Sequence, residues 1–198
     1  MEASEANGHI ILLMGPMGSG KGTLVKHVKE RFPELQFAVS CTTRDKRPNE
    51  TDGVDYHYIS MEQFDNKISN HDFLEWAEFS GNKYGTLKSE IIDRMKSGQV
   101  ILNEIELQGI KQLIEIIPEK NRTLVYLEAG EWEALKSRAL ARAPISDEHL
   151  ELRYQRYLEE VKMKPYADIV IENKDGDFDQ AKQEFADVVE EIFNSIEK

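Results

Sequence analysis

Short apolar runs alternate along the chain with segments in which apolar residues recur at helical spacing. The clearest run is His9–Met14 (HIILLM), a continuous apolar stretch that ends at Gly15. This pattern is typical of a parallel strand buried on both faces. In the segment that follows the next glycines, Leu24, Val28 and Phe32 recur at the spacing of an amphipathic helix. The start of the chain therefore predicts a buried strand, a turn and a helix.

The same pattern repeats to the end of the chain. Further strands are predicted at Phe37–Ser40, Gly53–Ile59, Phe73–Phe79, Lys83–Thr86, Val100–Ile105, Thr123–Leu127 and Asp168–Ile171. Further helices are predicted from Met61 and over Ser89–Ser97, Gln108–Ile117, Glu131–Arg142, Asp147–Lys164 and Phe178–Ile196. Strands that alternate with helices predict an α/β fold, with a parallel sheet flanked by helices. A mostly β insertion near residues 40–86 and an arginine-bearing helical insertion near 131–154 interrupt it.

Composition favours one soluble globular domain. The chain has 198 residues, of which 40% are hydrophobic and 31% charged. No apolar run reaches the roughly 18 residues of a membrane span, and residues 1–8 (MEASEANG) predict a flexible N-terminus without a signal pattern. Cys41 is the single cysteine, which excludes an intramolecular disulfide and a cysteine-based zinc site. We therefore expect a cytoplasmic protein that does not associate with a membrane.

The charge is strongly acidic but unevenly spread. Against 25 Lys and Arg residues stand 37 Asp and Glu residues, for a net charge of −12. An acidic surface argues against nucleic acid as a partner, because phosphate-backbone binding needs a basic field. Arginines nevertheless gather in the two insertions: Arg44, Arg47, Arg138, Arg142 and Arg153. They predict a local positive pocket for a small anionic substrate.

The glycine-rich segment Gly15–Lys21 (GPMGSGK) follows the first strand and opens the first helix. Two glycines with four residues between them, the second followed by lysine, are typical of a phosphate-binding loop. Its backbone N–H groups and the positive end of the helix face the phosphates, and Lys21 reaches the terminal ones. Gly22 occupies the position where the general motif has a metal-binding hydroxyl, and Thr23 comes one residue later. The Gly-Lys-Gly-Thr sequence resembles the loop of adenylate kinase and related nucleoside monophosphate kinases.

Several further blocks, in order, resemble guanylate kinase. They are Ser40–Pro48 (SCTTRDKRP), Gly53–Tyr56 (GVDY), Phe73–Ala77 (FLEWA), Gly81–Thr86 (GNKYGT), Ile105–Gly109 (IELQG), Arg138 with Arg142, Arg153, and Ile169–Asn173 (IVIEN). The resemblance covers nearly the whole chain, roughly Ile10 to Phe193. It implies the reaction of ATP with GMP to give ADP and GDP. It also implies a core (9–39, 87–130 and 155–198), a GMP-binding subdomain (40–86) and a lid (131–154).

The resemblance also implies residue roles. The implied GMP-binding residues are Ser40, Arg44, Arg47, Tyr56, Glu75, Tyr84, Thr86 and Glu106. Arginine and tyrosine would hold the GMP phosphate, Glu75 would accept from the two donors of guanine, and Ser40 and Thr86 would donate to guanine O6. The implied ATP-binding residues are Gly15, Pro16, Met17, Gly18, Ser19, Gly20, Lys21, Gly22, Thr23 and Asn173.

The implied catalytic residues stabilise charge on the transferred phosphoryl group. They are Lys21, Arg44, Arg138, Arg142 and Arg153. Glu104 and Glu106 would organise Mg²⁺ through water, with ATP as the phosphoryl donor. GMP and ATP are thus the expected partners of a monomer or weak homo-oligomer.

Two other functions compete with this interpretation. One is a related phosphotransferase that acts on another small phosphate ester, such as a different nucleotide or a ribose phosphate. Glu75, Ser40 and Thr86 argue against it because they suit guanine. The other is a non-catalytic protein-binding module that resembles guanylate kinase. Such modules usually lose the phosphate-binding loop, whereas Gly15, Gly20 and Lys21 are intact in this chain.

Overall fold

The computed structural model of the chain describes residues 6–79, 81–105, 107–142, 145–173 and 178–196. These residues form two compact units, the first from 6–10 with 36–122 and the second from 11–35 with 123–196. The sequence-based division into core, GMP-binding subdomain and lid follows other boundaries and stays a prediction.

Strands and helices alternate along the chain as the sequence predicts. The strands are β1 His9–Met14, β2 Gln36–Phe37, β3 Cys41–Thr42, β4 His57–Tyr58, β5 Phe73–Phe79, β6 Asn82–Leu87, β7 Val100–Glu104, β8 Arg122–Glu128 and β9 Ile169–Glu172. The α-helices are α1 Lys21–Arg31, α2 Met61–Ser69, α3 Arg94–Lys96, α4 Leu107–Ile116, α5 Trp132–Arg142, α6 Asp147–Val161 and α7 Phe178–Ile196. A π-helical turn, Ser89–Asp93, leads into α3.

Two sheets organise these elements. The larger has the strand order β2-β7-β1-β8-β9, and the pairs β2 with β7 and β8 with β9 are parallel. In β1, every residue of Ile10–Met14 is at most 1% exposed, which explains its unbroken apolar sequence. The smaller sheet, in the first unit, has the order β4-β3-β6-β5, with β6 antiparallel to both β3 and β5. The predicted α/β fold with a parallel sheet and a mostly β insertion is thereby confirmed.

The smaller sheet is held from one side by α2. Ser60 caps this helix, since its Oγ accepts from the Gln63 backbone N–H at 3.1 Å and Gln63 Oε1 accepts from the Ser60 N–H at 2.9 Å. Phe64 of α2 is fully buried and stacks on Phe73 of β5, with ring centroids 4.3 Å apart. Lys83 of β6 pairs with Asp65 of the helix. These contacts fix the two strands that carry the candidate base-reading residues.

Two predicted strands are wrong in extent. The predicted strand Phe37–Ser40 ends early as β2, and the Val39 N–H donates to the Glu90 side chain instead of to a strand. Of the predicted Gly53–Ile59 strand only β4 forms, because the chain turns first: Gly53 has φ 75° and the Val54 N–H donates back to the Thr51 carbonyl.

Two predicted helices also differ. The predicted helix Ser89–Ser97 consists of the π-helical turn and the short α3, ended at Gly98 as the sequence suggests. The predicted helix Asp147–Lys164 ends as α6 at Val161 and is followed by a 3₁₀ turn over Lys164–Tyr166, because Pro165 has no N–H to donate to the Val161 carbonyl. Among the described residues, no helix has both the length and the apolar character needed to cross a membrane.

Two buried asparagines lead to opposite predictions for stability. Asn103, 2% exposed on β7, has a side-chain Nδ2 without a hydrogen-bond partner among the described residues. Asn121 Oδ1 is likewise unpartnered among those residues, but Asn121 Nδ2 donates to the Ala6 and Gly8 carbonyls at 2.9 Å each, two bonds that leucine would lose. We expect Asn103→Leu, which keeps the branched shape, to raise the free energy of unfolding by about 1–3 kcal/mol. Asn121→Leu should lower it by a similar amount. Urea unfolding followed by circular dichroism measures both, and a loss of stability in Asn103→Leu contradicts the prediction.

Candidate active site

The phosphate-binding loop joins β1 to α1 in the second unit. Lys21 turns back over the loop, with its Nζ donating to the Gly15 carbonyl at 2.6 Å and to the Pro16 carbonyl at 3.3 Å. The Ser19 hydroxyl is fully buried and has no hydrogen-bond partner among the described residues. Buried polar groups in native proteins are nearly always partnered, so this hydroxyl suits a bound anion.

Asn173 completes the loop from the far end of the chain. Its buried Nδ2 donates to the Ser19 carbonyl at 2.6 Å, and its backbone N–H donates to the Glu128 carbonyl at 2.6 Å. Gly20, with φ 102°, leaves room for this contact, since a Cβ there would lie 2.9 Å from Asn173 Nδ2. Sequence resemblance suggests adenine as the neighbour of Asn173, and the structure adds that its amide holds the loop backbone.

Two of the predicted lid arginines lie against the loop. Arg138 of α5 donates to the Gly18 carbonyl at 3.5 Å, and Arg153 of α6 contacts Met17 Sδ. Arg142 is the last residue of α5, and its side chain lies outside what the structure describes. An aromatic cluster joins the two helices: Trp132 lies 5.2 Å from Tyr154 and 5.7 Å from Tyr157, centroid to centroid.

Glu160 is a residue of this region that sequence reasoning missed. It is buried on α6 and accepts from Arg156 Nε at 3.1 Å. Burial raises the pKa of Glu160, while the charges of Arg156 and Lys21 oppose the rise. In the sequence Glu160 is one of several acids in a predicted helix. Its position on the buried face of α6 becomes visible only in the structure.

In the first unit, Arg44 is already paired with an acid. Its Nη2 donates to both Glu50 carboxylate oxygens, at 2.8 and 3.0 Å, and its Nη1 donates to the Asp45 carbonyl at 2.6 Å. Glu50 also accepts from the Tyr58 hydroxyl and the Arg47 backbone N–H, both at 2.8 Å. These bonds, led by that from Arg44, lower the pKa of Glu50 to about 2. Glu50 was not predicted, although an acid three residues after Arg47 in a basic segment is a signal for it.

The other predicted phosphate-binding residues surround this ion pair. Tyr56 lies with its ring centroid 5.6 Å from the Arg44 guanidinium carbon and 6.0 Å from the ring of Tyr84. The Arg47 side chain is 71% exposed, with its Nη1 3.9 Å from Glu50. Burial raises the pKa of Tyr56, so its hydroxyl keeps its proton and remains a donor. One arginine, two tyrosine hydroxyls and an exposed arginine are thus grouped in this unit.

A second cluster lies where β5 pairs with β6. Glu75, 5% exposed, is opposite Thr86, whose hydroxyl donates to Glu75 Oε1 at 2.6 Å. Ser40 Oγ lies 3.0 Å from Thr86 Oγ1. Because the single proton of Thr86 goes to the carboxylate, Ser40 is the donor in the second bond. Both hydroxyls predicted to donate to guanine O6 therefore direct their protons within the cluster in this structure.

Burial raises the pKa of Glu75, against the effect of the Thr86 hydrogen bonds. No cation among the described residues pairs with this carboxylate. A buried carboxylate with unused lone pairs is suited to receive N–H donors from a ligand.

The structure describes only one of the two acids that are predicted to organise a metal ion. Glu104 ends β7 and is exposed. Glu106, predicted for both GMP and metal binding, lies outside the described residues. The described residues contain no group of three or more histidine, cysteine or acidic side chains that could hold a metal ion by themselves.

Stability should depend on pH through Glu75. Its folded pKa exceeds its ordinary value, so ionisation disfavours folding, and stability is lost as the pH rises from the ordinary value through the raised one. Glu75→Gln removes this dependence, and the nucleotide-free variant should gain in Tm relative to wild type as the pH rises above the ordinary range of a glutamate carboxyl, about 4. Glu78→Gln, at an exposed acid of the same strand, should parallel wild type. Parallel curves for Glu75→Gln and wild type would contradict the prediction.

The phosphate-binding loop after a buried parallel strand, with helix arginines against it, defines an α/β phosphate-binding protein of the P-loop class. The family model for guanylate kinase matches residues 7–192. The chain is 38% identical to a guanylate kinase of Streptomyces coelicolor over 169 residues, covering 85% of each chain. It is also 38% identical to a guanylate kinase of Fusobacterium nucleatum over 183 residues, covering 92% of this chain and 96% of that protein. The chain belongs to the guanylate kinase family.

A solved structure agrees at the level of the fold. The crystal structure of guanylate kinase from Anaplasma phagocytophilum matches with a TM-score of 0.72 at 23% sequence identity. The match covers 98% of this chain and 88% of that one.

Proposed function

We propose that this protein is an ATP-dependent GMP kinase, which transfers the γ-phosphoryl group of ATP to GMP and releases ADP and GDP. Membership of the guanylate kinase family supports the reaction. Within that family, the observation that carries the choice of base is Glu75, a buried carboxylate bonded to Thr86 and without a cation partner in the described part of the chain. Guanine presents N1–H and an exocyclic amine to such a group, whereas adenine presents no such pair of donors.

On the GMP side, Glu75 accepts from the two guanine donors, and Ser40 and Thr86 turn their hydroxyl protons toward O6 when the base enters. Glu106 is a further proposed contact to GMP. Arg44, Arg47, Tyr56 and Tyr84 hold the phosphate. Support comes from the grouping of Arg44 with the two tyrosines in the first unit. GMP and dGMP differ only at the ribose, so we propose that both are substrates.

On the ATP side, the loop Gly15–Thr23 binds the phosphates through backbone N–H groups, and Asn173 lies near the adenine. A GMP phosphate oxygen attacks the γ-phosphorus, and the bond to the ADP oxygen breaks without a covalent enzyme intermediate. Lys21, Arg138, Arg142 and Arg153 stabilise the charge on the transferred group, together with Arg44. The contacts of Arg138 and Arg153 with the loop support this assignment.

The residues of the site are compatible with a Mg²⁺ ion that is held mainly by the phosphates of the nucleotide. Mg²⁺ is commonly bound by one or two carboxylates together with substrate phosphates and water. An exposed carboxylate at the end of β7 and the absence of an all-protein metal cluster among the described residues suit that mode. We propose that Glu104 and Glu106 hold Mg²⁺ through water. When bound, Mg²⁺ neutralises phosphate charge and orients the phosphates.

The proposed setting follows from the substrates. ATP and GMP are intracellular metabolites, so we propose that the enzyme acts in the cytoplasm, as a monomer or weak homo-oligomer. Small-molecule substrates require no nucleic-acid or membrane partner.

A coupled assay with ATP and GMP, dGMP, AMP, UMP or CMP tests the function. We expect GMP and dGMP to be phosphorylated and AMP to be disfavoured by roughly 10⁴-fold in kcat/KM, since AMP leaves buried polar groups unpaired. Preference for another nucleotide would indicate a different phosphotransferase. The absence of turnover with every nucleotide would indicate a binding module.

The same assay tests the role of Lys21. Lys21→Ala should lower kcat about a hundredfold or more, while Lys26→Ala, at an exposed lysine of the same helix, should not.

Gly22 permits a matched test of the metal site. A Cβ on Gly22 would meet nothing within 4 Å, so both Gly22→Ala and Gly22→Ser fit α1. Alanine should stabilise the helix by up to about 1 kcal/mol, and serine adds the hydroxyl that binds Mg²⁺ in the general motif. We expect the serine variant to reach half-maximal rate at a lower Mg²⁺ concentration than the alanine variant. Equal Mg²⁺ requirements would show that a hydroxyl at this position does not reach the metal.

A further inference from the structure

Helix α4 passes directly beside the Glu75 carboxylate. A Cβ built on Gly109, in the first turn of α4, would lie 2.6 Å from Glu75 Oε2. It would also lie 2.7 and 2.8 Å from the Ile105 side-chain carbons. Contacts under 3.0 Å are sterically forbidden for a real Cβ, so any side chain at position 109 forces a neighbour to move.

The backbone conformation of Gly109 does not demand a glycine. Gly109 is buried within α4 and is not among the residues with positive φ. Glycine in a helix is less favourable than alanine by roughly 0.5–1 kcal/mol. Glycine is therefore required at this position because the space beside the helix is limited. The Glu75 carboxylate occupies part of that space.

The helix cannot easily withdraw to admit a larger residue. Gln112, one turn further along α4, donates from Nε2 to the Trp76 carbonyl at 3.0 Å, which ties the helix to β5 next to Glu75. Ile110 and Leu113 of the same helix are fully buried. The carboxylate is equally constrained on its other side, because Oε1 accepts from Thr86. A methyl group at position 109 would thus displace Oε2.

We propose that Gly109 is a positioning residue for base specificity, because its missing side chain gives Glu75 Oε2 the place from which it reads guanine. This inference rests on the proposed function. Different elements then position the two carboxylate oxygens of Glu75. The Thr86 hydroxyl of β6 fixes Oε1, and the backbone of α4 at Gly109 limits where Oε2 can lie. The first turn of α4 also brings the positive end of the helix to the carboxylate, which favours its ionised, accepting form.

The test is Gly109→Ala, with Gln108→Ala at an exposed residue of the same helix turn as control. We expect Gly109→Ala to raise KM for GMP about tenfold to a hundredfold, because small displacements at a binding group have effects of that size. The ratio of kcat/KM for GMP to that for AMP should fall, whereas KM for ATP and kcat at saturating GMP should change little. The control should match wild type in all four quantities.

A double-mutant cycle with Glu75→Ala distinguishes an effect that acts through the position of Glu75 from a general loss of structure. If Gly109 acts through Glu75, Gly109→Ala has no further effect on the GMP/AMP ratio once Glu75 is alanine. A ratio that falls equally in both backgrounds overturns the proposal. If Gly109→Ala alone fails to fold but the double variant folds, the conflict lies with the carboxylate, as proposed; if neither folds, it lies with Ile105 and the proposal is wrong.

The outcomes for this proposal and for the function are distinct. A wild-type protein that does not phosphorylate GMP refutes the function. A wild-type protein that does, with a Gly109→Ala variant indistinguishable from Gln108→Ala, refutes only the role of Gly109.

Discussion

A carboxylate that is kept from water and given no cation must be stabilised by hydrogen bonds, and the surroundings of Glu75 follow from that requirement. The antiparallel register of β5 and β6 brings Thr86 opposite Glu75, and Ser40 donates in turn to Thr86. The packing of α2 on β5 and the bond from Gln112 of α4 to the same strand hold this register. These contacts together keep the Glu75 carboxylate in one place, with lone pairs still available.

The opposite arrangement is found at Arg44 in the same unit. This cation has its counter-ion in Glu50, which four hydrogen bonds from three donor atoms hold in its ionised form. A paired charge of this kind is oriented before any ligand arrives, whereas the charge of Glu75 waits for donors from outside. We infer a division of labour, in which the arginine is prepared for the phosphate and the acid discriminates between bases.

The sequence predicted what depends on pattern and chain order. The unbroken apolar run of β1, the glycine loop and the lysine after it could be identified from spacing alone, because a buried strand and a phosphate loop each restrict residue types strongly. Strand β3 could not, since a two-residue strand carries no periodicity, and β4 was predicted as part of a longer strand. Glu50, Glu160 and Gly109 were missed as individual residues for a related reason: their importance lies in what they face in space. A buried acid such as Glu160 or a glycine beside a carboxylate has no sequence signature until the fold is known, whereas Glu50, an acid in a basic segment, left one.

The hold of Asn173 on the phosphate loop has a consequence for how the protein is made. β1 and the loop are synthesised well before β9, since the amide that anchors the Ser19 carbonyl comes 154 residues later. Because domains emerge from the ribosome N-terminus first, the loop must wait, without its anchor, until β9 has been translated and has paired with β8. A nascent chain that stalls before β9 would carry the complete loop sequence and still lack a finished nucleotide cradle. The loop therefore acquires its contact with Asn173 only after most of this sequence has been translated.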